Sequence, residues 1–204
     1  MQLTETSVML SRLAMQDQAD DASFMEVVNQ ALDAAAVHLG AQLDTEFDEG
    51  AHTDTFYIDS SIYEPVGGLY RLKLAHGFVL ASTLSIYTVD DLFGASLSPV
   101  QLAAPQYRSD PKSLEKGFID IPATLEGSYV IVSYTAGFAD VSEVPAWLSE
   151  ASLATAIRVM SWQQLGDDKP ALGKILQEVA GYGGDILNRH MRTSSRAIPA
   201  LTSE

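Results

Sequence analysis

Cysteine is absent from the 204 residues of the chain. Disulfide bridges, thiolate zinc sites and cysteine nucleophiles are therefore excluded. No apolar run reaches the roughly 18 residues that a transmembrane helix needs, and residues 1–5 carry no basic residue of the kind that opens a signal peptide. We expect no membrane partner and a chain that is intracellular when it is made. The length fits one domain, or one domain with a sizeable insertion.

Basic residues are scarce, above all near the N-terminus. Residues 1–60 hold one basic residue, Arg12, against 12 acidic ones, and residues 61–204 hold 11 basic against 15 acidic. The net charge is −15. Binding to nucleic acid by phosphate neutralisation requires clustered Lys and Arg, so the composition argues against it. An acidic surface near DNA would repel the DNA backbone, although solubility is the simpler explanation of the charge.

Recognisable catalytic and metal-binding motifs are also missing. The chain has no GxSxG motif and no P-loop. The acidic segment 44–50 has the alternating carboxylates of a calcium loop, but Glu49 stands where that loop needs glycine and Thr55 where it needs glutamate. The four histidines are far apart and outside any metal-binding spacing; they are His38, His52, His76 and His190. We predict no catalytic residue, no metal site and no cofactor.

Helical periodicity marks both ends of the sequence. Apolar residues at spacings of three and four predict an amphipathic helix at about 21–39, with Gly40 as C-cap. Asp20 or Asp21 is the predicted N-cap, and Ser23 with Glu26 also fits the spacing of a capping box. A second helix is predicted at 145–165. It is apolar nearly all round, which indicates a bundle centre, a subunit contact, or both. A third helix follows from Leu172 and is interrupted by glycines near 181–184.

The middle of the sequence has the alternation and turn residues of β structure. We predict five to seven strands between 53 and 134, mostly antiparallel because their connections are short. The predicted strands include 70–74, 78–81, 84–89, 118–122 and 129–134. The predicted fold class is α+β: a small helical bundle, made of an N-terminal helix and two C-terminal helices, with an inserted antiparallel β region. The predicted parts are a helical body at 1–52 and 140–191, the β region at 53–139, and an extended C-terminal tail at 192–204.

One junction is more specific than the rest. The strand Val130–Tyr134 leads into Thr135-Ala136-Gly137-Phe138, and Val144-Pro145 then starts the apolar helix. With the acidic cap and alanine-rich helix of 20–40 and the strand 118–121, this order resembles the head–tail connector (adaptor) proteins of tailed bacteriophages. The resemblance covers about two-thirds of the chain. The long β region and the Gly-Tyr-Gly-Gly-Asp break at 181–185 depart from it.

The resemblance implies a structural protein without catalytic activity. It implies a homo-oligomeric, twelve-fold ring in the virion neck, assembled in the host cytoplasm and bound to the portal protein and to a tail or stopper protein, through which DNA passes without specific binding. The residues predicted for the subunit interface are Leu148, Leu153, Ile157, Met160 and Trp162. Those predicted for docking to the portal or a neighbour are Arg189, Arg192, Arg196, Ile198 and Leu201. Those predicted to line an acidic lumen are Asp44, Glu46, Asp48 and Glu49.

Two other functions remain open at this point. The β-rich middle would also suit a tail-completion or stopper protein of the phage neck. The acidic loop or the β region could alternatively form the site of a small-ligand binder or an enzyme.

Overall fold

The computed structural model describes residues 1–92, 99–104, 106–164, 189–191 and 197–201, with the backbone alone at 161–164. The described residues form an α+β fold. The chain divides into two compact units, of which unit 1 comprises residues 1–43 and 138–191 and unit 2 comprises residues 44–137 and 192–204. The helices are α1 (Thr6–Leu13), α2 (Ala22–Leu43), α3 (Pro111–Glu115) and α4 (Ala146–Gln164). The strands are β1 (Gly50–Tyr57), β2 (Leu69–Lys73), β3 (Ser85–Val89), β4 (Val100–Leu102), β5 (Phe118–Pro122), β6 (Tyr129–Ala136) and β7 (Ala197–Pro199).

Helix α2 begins where the sequence predicts and ends later. The Asp21 carboxylate accepts hydrogen bonds from the backbone N–H groups of Ser23 (3.0 Å) and Phe24 (3.2 Å), which confirms Asp21 as the N-cap. The prediction that Gly40 ends the helix is wrong, because α2 continues to Leu43. Leu43 is buried and extends the apolar face. Burial of such a side chain stabilises by about 1.5–3 kcal/mol, which exceeds the roughly 1 kcal/mol cost of an internal glycine.

Helix α4 follows Pro145, whose carbonyl accepts from the N–H groups of Leu148 (2.9 Å) and Ser149 (3.0 Å). Between residues 146 and 160 only Ala146 and Arg158 are exposed. Helix α4 packs against α2, and their apolar side chains join those of α1 in one core. A helix that is apolar all round is stable only when most of its surface is covered. The structure therefore places α4 at the centre of unit 1.

The N-terminal segment is tied to α4 by polar contacts. The Thr4 hydroxyl, which is buried, donates to the carbonyl oxygen of Ser149 (2.8 Å). Arg12 forms an ion pair with Glu150 (2.6 Å). Both partners of that pair are substantially exposed, so it contributes little to stability. The buried Thr4 hydrogen bond is the stronger restraint on this segment.

The described residues of unit 2 form two sheets. The four-stranded sheet has the order β1-β6-β3-β4, and the three-stranded sheet has the order β5-β2-β7. All pairings are antiparallel except that of β7 with β2, which is parallel. The longest ladder pairs β1 with β6 from Gly50↔Ala136 to Tyr57↔Tyr129. Since these partners lie far apart in sequence, short hairpins do not explain this ladder.

The two sheets of unit 2 share one apolar core. Alternation along β2 places Tyr70 and Leu72 inside, and Leu74 continues their face, as predicted. Strand β6 alternates without a break between half-buried and buried residues. Both sheets contribute side chains to the core cluster, which includes Phe56, Ile86, Leu102, Ile119, Val132 and Ile198.

The segment 78–81 is not the strand that the sequence predicts. Phe78 has φ 55°, Val79 forms an isolated bridge to Ala136, and Ala81–Thr83 form a turn of 3-10 helix. The positive φ breaks the extended conformation that a strand requires.

Most of the helix predicted from Leu172 lies outside the described residues. None of the helices described combines the length and hydropathy needed to cross a membrane.

Candidate functional site

The junction at the end of β6 is tightly built. Gly137 has φ 93°, and a Cβ atom placed on it would lie 2.4 Å from the carbonyl oxygen of Asp48. Its N–H group donates to the carbonyl oxygen of Phe78 (3.2 Å). Real Cβ atoms do not approach backbone this closely, and L residues with side chains rarely adopt this φ. Position 137 therefore requires glycine on two independent grounds.

The acidic loop at 44–49 is anchored by its alternate residues. Thr45 is buried, and its hydroxyl accepts from the N–H of Gly77 (2.9 Å). Phe47 is buried and its ring centroid lies 5.8 Å from that of Phe78. The four carboxylates predicted to line a lumen are all exposed; they are Asp44, Glu46, Asp48 and Glu49. The carboxylates at 44, 46 and 48 thus alternate with buried residues, and Glu49 is exposed next to them.

One of these carboxylates is partly neutralised. Asp44 accepts a hydrogen bond from the ammonium group of Lys73 (2.7 Å). The Asp44 side chain is exposed, so the pair is screened by solvent and salt.

A polar cluster in unit 2 has no counterpart among the sequence predictions. The buried carboxylate of Asp54 accepts from the phenol of Tyr134 (2.7 Å) and from the N–H of Ala75 (2.7 Å). The Tyr134 oxygen also accepts from the N–H of His76 (3.2 Å). The rings of His76 and His52 lie with centroids 3.9 Å apart. The histidine pair therefore sits beside a buried carboxylate–phenol pair.

The sequence carries a signal for half of this cluster. Residues 52, 54 and 56 share one face of a strand because side chains alternate, and the aromatic Phe56 marks that face as buried. Asp54 is therefore a candidate buried carboxylate on sequence grounds. Its partner Tyr134 and the neighbouring His76 come from segments that only the tertiary fold brings close.

The chemistry available to this cluster is hydrogen bonding. Asp54 holds the segment at 75–76 against β1 and β6, and a buried carboxylate with two donors is well satisfied. Among the residues that the structure describes, no group of three or more His, Cys, Asp or Glu side chains is placed to hold a metal ion.

Unit 1 has an open depression among its described residues that is large enough for a small molecule. It has a volume of about 440 Å³ and is lined by Met1, Gln2, Thr4, Glu5, Thr6, Ala139, Asp140 and Val141. The Asp140 carboxylate accepts from the N–H of Ser142 (2.8 Å). That backbone hydrogen bond lowers the pKa of Asp140 from its ordinary value. The Asp140 carboxylate thus caps a turn and stays ionised at neutral pH.

Most of the residues predicted for a subunit interface lie in the interior of the single chain. Four of them are buried within the single chain: Leu148, Leu153, Ile157 and Met160. Three of these pack with α1 and α2 in the core of unit 1. The side chain of Trp162 lies outside the described residues. A role for this set in contacts between subunits stays a prediction.

The residues predicted for docking differ in their exposure, and two of them lie outside the described residues. Arg189 is exposed, Ile198 is buried in β7, and Leu201 is half-exposed at 52%. Arg192 and Arg196 lie outside the described residues. The segment at 197–201 is therefore already engaged with unit 2 in the single chain.

Among comparisons with known proteins, only the search of solved structures finds similar chains. No protein-family model matches the chain, and no curated protein matches it. A chain of the structure described as "Neck of empty GTA particle computed with C6 symmetry" is 16% identical with a TM-score of 0.46, covering 94% of this chain and 91% of that one. A chain of "Neck of native GTA particle computed with C12 symmetry" is 18% identical with a TM-score of 0.44, covering 95% of each.

A third similar chain comes from the "Virion of native gene transfer agent (GTA) particle", at 18% identity and a TM-score of 0.42, covering 86% of this chain and 80% of that one. The structural neighbours are thus components of the neck and virion of a phage-like particle. At these TM-scores and identities the similarities carry no conclusion about what this chain does.

Proposed function

We propose that the chain is a structural head–tail connector (adaptor) of a tailed phage or phage-like virion. In this proposal it forms a ring beneath the portal protein, links the head to the tail, and lets DNA pass through its centre. The ring is twelve-fold and is assembled in the host cytoplasm. The protein has no catalytic role and needs no cofactor.

The observation that carries the proposal is the junction from β6 into α4. The sequence motif that resembles connector proteins coincides with a geometry that depends on its particular residues. Gly137 permits a close approach to the Asp48 backbone, Val144 is buried, and Pro145 supplies the carbonyl that starts α4. Gly137, Val144 and Pro145 therefore each contribute to the geometry of the junction, and this agreement between motif and structure supports the proposal.

The exposed acidic loop is consistent with the same role. A channel for DNA must not hold its cargo, and carboxylates repel phosphates whereas Lys and Arg bind them. We propose that Asp44, Glu46, Asp48 and Glu49 face the lumen. Because Thr45 and Phe47 anchor the loop, the carboxylates would hold a fixed position along the DNA path.

The remaining parts of the chain receive roles in the same proposal. The helical body at 1–52 and 140–191 forms the wall of the ring, with Leu148, Leu153, Ile157, Met160 and Trp162 at or beneath the contact between subunits. The β region at 53–139 is an insertion into that body. The tail at 192–204 docks on the portal or a neighbouring subunit through Arg189, Arg192, Arg196, Ile198 and Leu201.

The test is reconstitution with the portal protein encoded in the same genome. Purified chain and portal are mixed, and the products are examined by native mass spectrometry and electron microscopy. We expect rings of this chain on the portal. A chain that stays monomeric alone still fits, since such rings can form only on their platform. A chain that does not bind the portal under any assembly condition would contradict the proposal.

A tail-completion or stopper protein is the second candidate, favoured by the large β unit. Its expected partner is a tail protein and not the portal. Parallel pull-downs against portal and tail proteins separate the two roles. A small-ligand binder or enzyme is tested by a thermal-shift screen with metals and metabolites, in which binding to the native state raises the Tm.

A further inference from the structure

The C-terminal segment 197–201 touches both sheets of unit 2. Strand β7 lies parallel to β2 with Leu72 opposite Ile198 and Lys73 opposite Pro199. Ile198 is only 2% exposed and belongs to the core of the unit. The N–H of Leu201 donates to the carbonyl oxygen of Thr55 in β1 (2.7 Å). A short segment therefore lies along one edge of each sheet.

These two edges form a strand-binding site, which we call the strand slot. It consists of the edge of β2 (Leu69–Lys73) that faces away from β5 and of the Thr55 carbonyl group of β1. Strand β1 ends the four-stranded sheet, and without β7 strand β2 would end the other. An open sheet edge presents unpaired N–H and C=O groups and accepts an extended segment from elsewhere. The slot adds an apolar pocket, filled here by Ile198, which selects the segment that fits.

The connectivity does not require the slot to be filled by the same copy. The rest of unit 2 ends at residue 137, and 197–201 return to it only after the second segment of unit 1. The pairing with β2 is parallel, so no hairpin links the two strands. Every copy of the chain carries an identical segment, and each is complementary to every slot in the same register.

We propose that in the assembled ring the strand slot of each subunit is filled by residues 197–201 of a neighbouring copy. This inference rests on the proposed function, because it needs a ring. Each subunit then gives one strand and receives one, a head-to-tail contact that closes on itself around a ring. Exchange of an identical element makes no new contact and loses none, so its cost is low. The inference assigns Ile198 and Leu201 to a neighbour and not to the portal.

The absence of cysteine allows a direct test. Lys73 and Pro199 are opposite each other, and both lie outside the buried core. Two single variants, Lys73→Cys and Pro199→Cys, are mixed, assembled into rings on the portal, and treated with a short bis-maleimide. We expect covalent dimers of twice the 22.0 kDa chain mass on a denaturing gel. Each variant assembled alone is the control and should give far fewer dimers.

The double variant Lys73→Cys/Pro199→Cys distinguishes the possible outcomes. Before assembly its links should fall within one chain, and in rings they should join chains into a ladder of covalent oligomers. Rings in which the double variant links only within chains, and the mixed single variants give no dimer, would overturn the exchange and leave the ring intact. Failure of the wild-type chain to form rings would overturn the proposed function together with the exchange.

Discussion

The backbone at Gly137 lies so close to Asp48 that the two positions depend on each other. A Cβ atom at 137 would be 2.4 Å from the Asp48 carbonyl oxygen and 2.7 Å from its carbonyl carbon. No side-chain rotation relieves a clash of a Cβ atom with backbone atoms. The end of β6 and the acidic loop can therefore keep their present approach only while residue 137 has no side chain.

Replacing Gly137 with alanine should destabilise the protein by roughly 2–4 kcal/mol, from positive-φ strain together with the displaced loop. The matched control is Gly127→Ala, since Gly127 has φ 81° but a Cβ atom added there would meet nothing within 4 Å. Gly127→Ala should therefore lose only the stability that positive-φ strain costs. Urea unfolding measures the loss of stability in each variant. Equal losses in the two variants would show that the close contact with Asp48 does not constrain position 137.

Replacing Tyr134 with phenylalanine should cost about 1–3 kcal/mol, because the buried Asp54 carboxylate loses one of its two donors. The matched control is Tyr57→Phe on the neighbouring strand β1, where the ring is 40% exposed; that change should be within about 0.5 kcal/mol of neutral. Thermal unfolding by circular dichroism gives both values. A Tyr134 variant as stable as the control would mean that water replaces the phenol.

Replacing Ile198 with alanine should destabilise unit 2 by about 2–4 kcal/mol, since the side chain is almost fully buried. The matched control is Leu201→Ala, whose side chain is half-exposed and should cost much less. Denaturant unfolding compares the two. Similar small effects for both variants would indicate that 197–201 contribute little to the folded single chain.

The N-cap of α2 predicts a dependence of stability on pH. Hydrogen bonds from the Ser23 hydroxyl and from the backbone N–H groups of Phe24 and Ser23 lower the pKa of Asp21 below its ordinary value of 3.8. A depressed folded pKa means that the stabilisation is fully present above pH 3.8 and is lost as the pH falls through the folded value.

Replacing Asp21 with alanine should therefore lower the Tm at pH 7, by about 2–4 °C for a single cap in a chain of this size. The difference in Tm from wild type should shrink as the pH is lowered below 3.8. The neighbouring exposed Asp20→Ala makes the same change of charge without removing the cap. A Tm difference that persists unchanged at the lowest pH would assign the effect to helix propensity.

Reversing the charge of the acidic loop tests the lumen assignment. A Glu46→Lys/Asp48→Lys/Glu49→Lys variant should slow DNA release from assembled particles by roughly 3- to 10-fold at low salt and less at high salt. Its control reverses three exposed carboxylates elsewhere: Asp17, Asp20 and Asp33. The half-time of release from purified particles is the measurement. Normal release from the loop variant would place the loop away from the DNA path.

Local chemistry explains which parts of the fold are predictable from the sequence. The cap at Asp21, the helical periodicity of α2 and the strands predicted at 70–74 and 129–134 are properties of neighbouring residues, and the structure confirms each. The end of α2 is not predictable in this way, because the burial of Leu43 depends on tertiary packing. The free-energy cost of placing Gly40 inside a helix is smaller than the stabilisation from burying Leu43.

The features that the sequence does not predict all depend on distant partners. The His52–His76 stack and the Asp54–Tyr134 hydrogen bond join residues whose proximity is set by the β1–β6 ladder and the segment at 75–77. Strand β7 has only three residues and includes a proline, so its own sequence carries no strand signal. Its conformation is supplied by β2, to which it adds.

The interleaving of the two units along the chain has a consequence for synthesis. Helix α2 leaves the ribosome long before α4, with which it packs, and β2 leaves long before β7. Domains made of one continuous segment can fold during translation, N-terminal first. Here neither unit is complete until its later segment has been made. Synthesis of α4 and β7 is therefore required before the two units can fold completely.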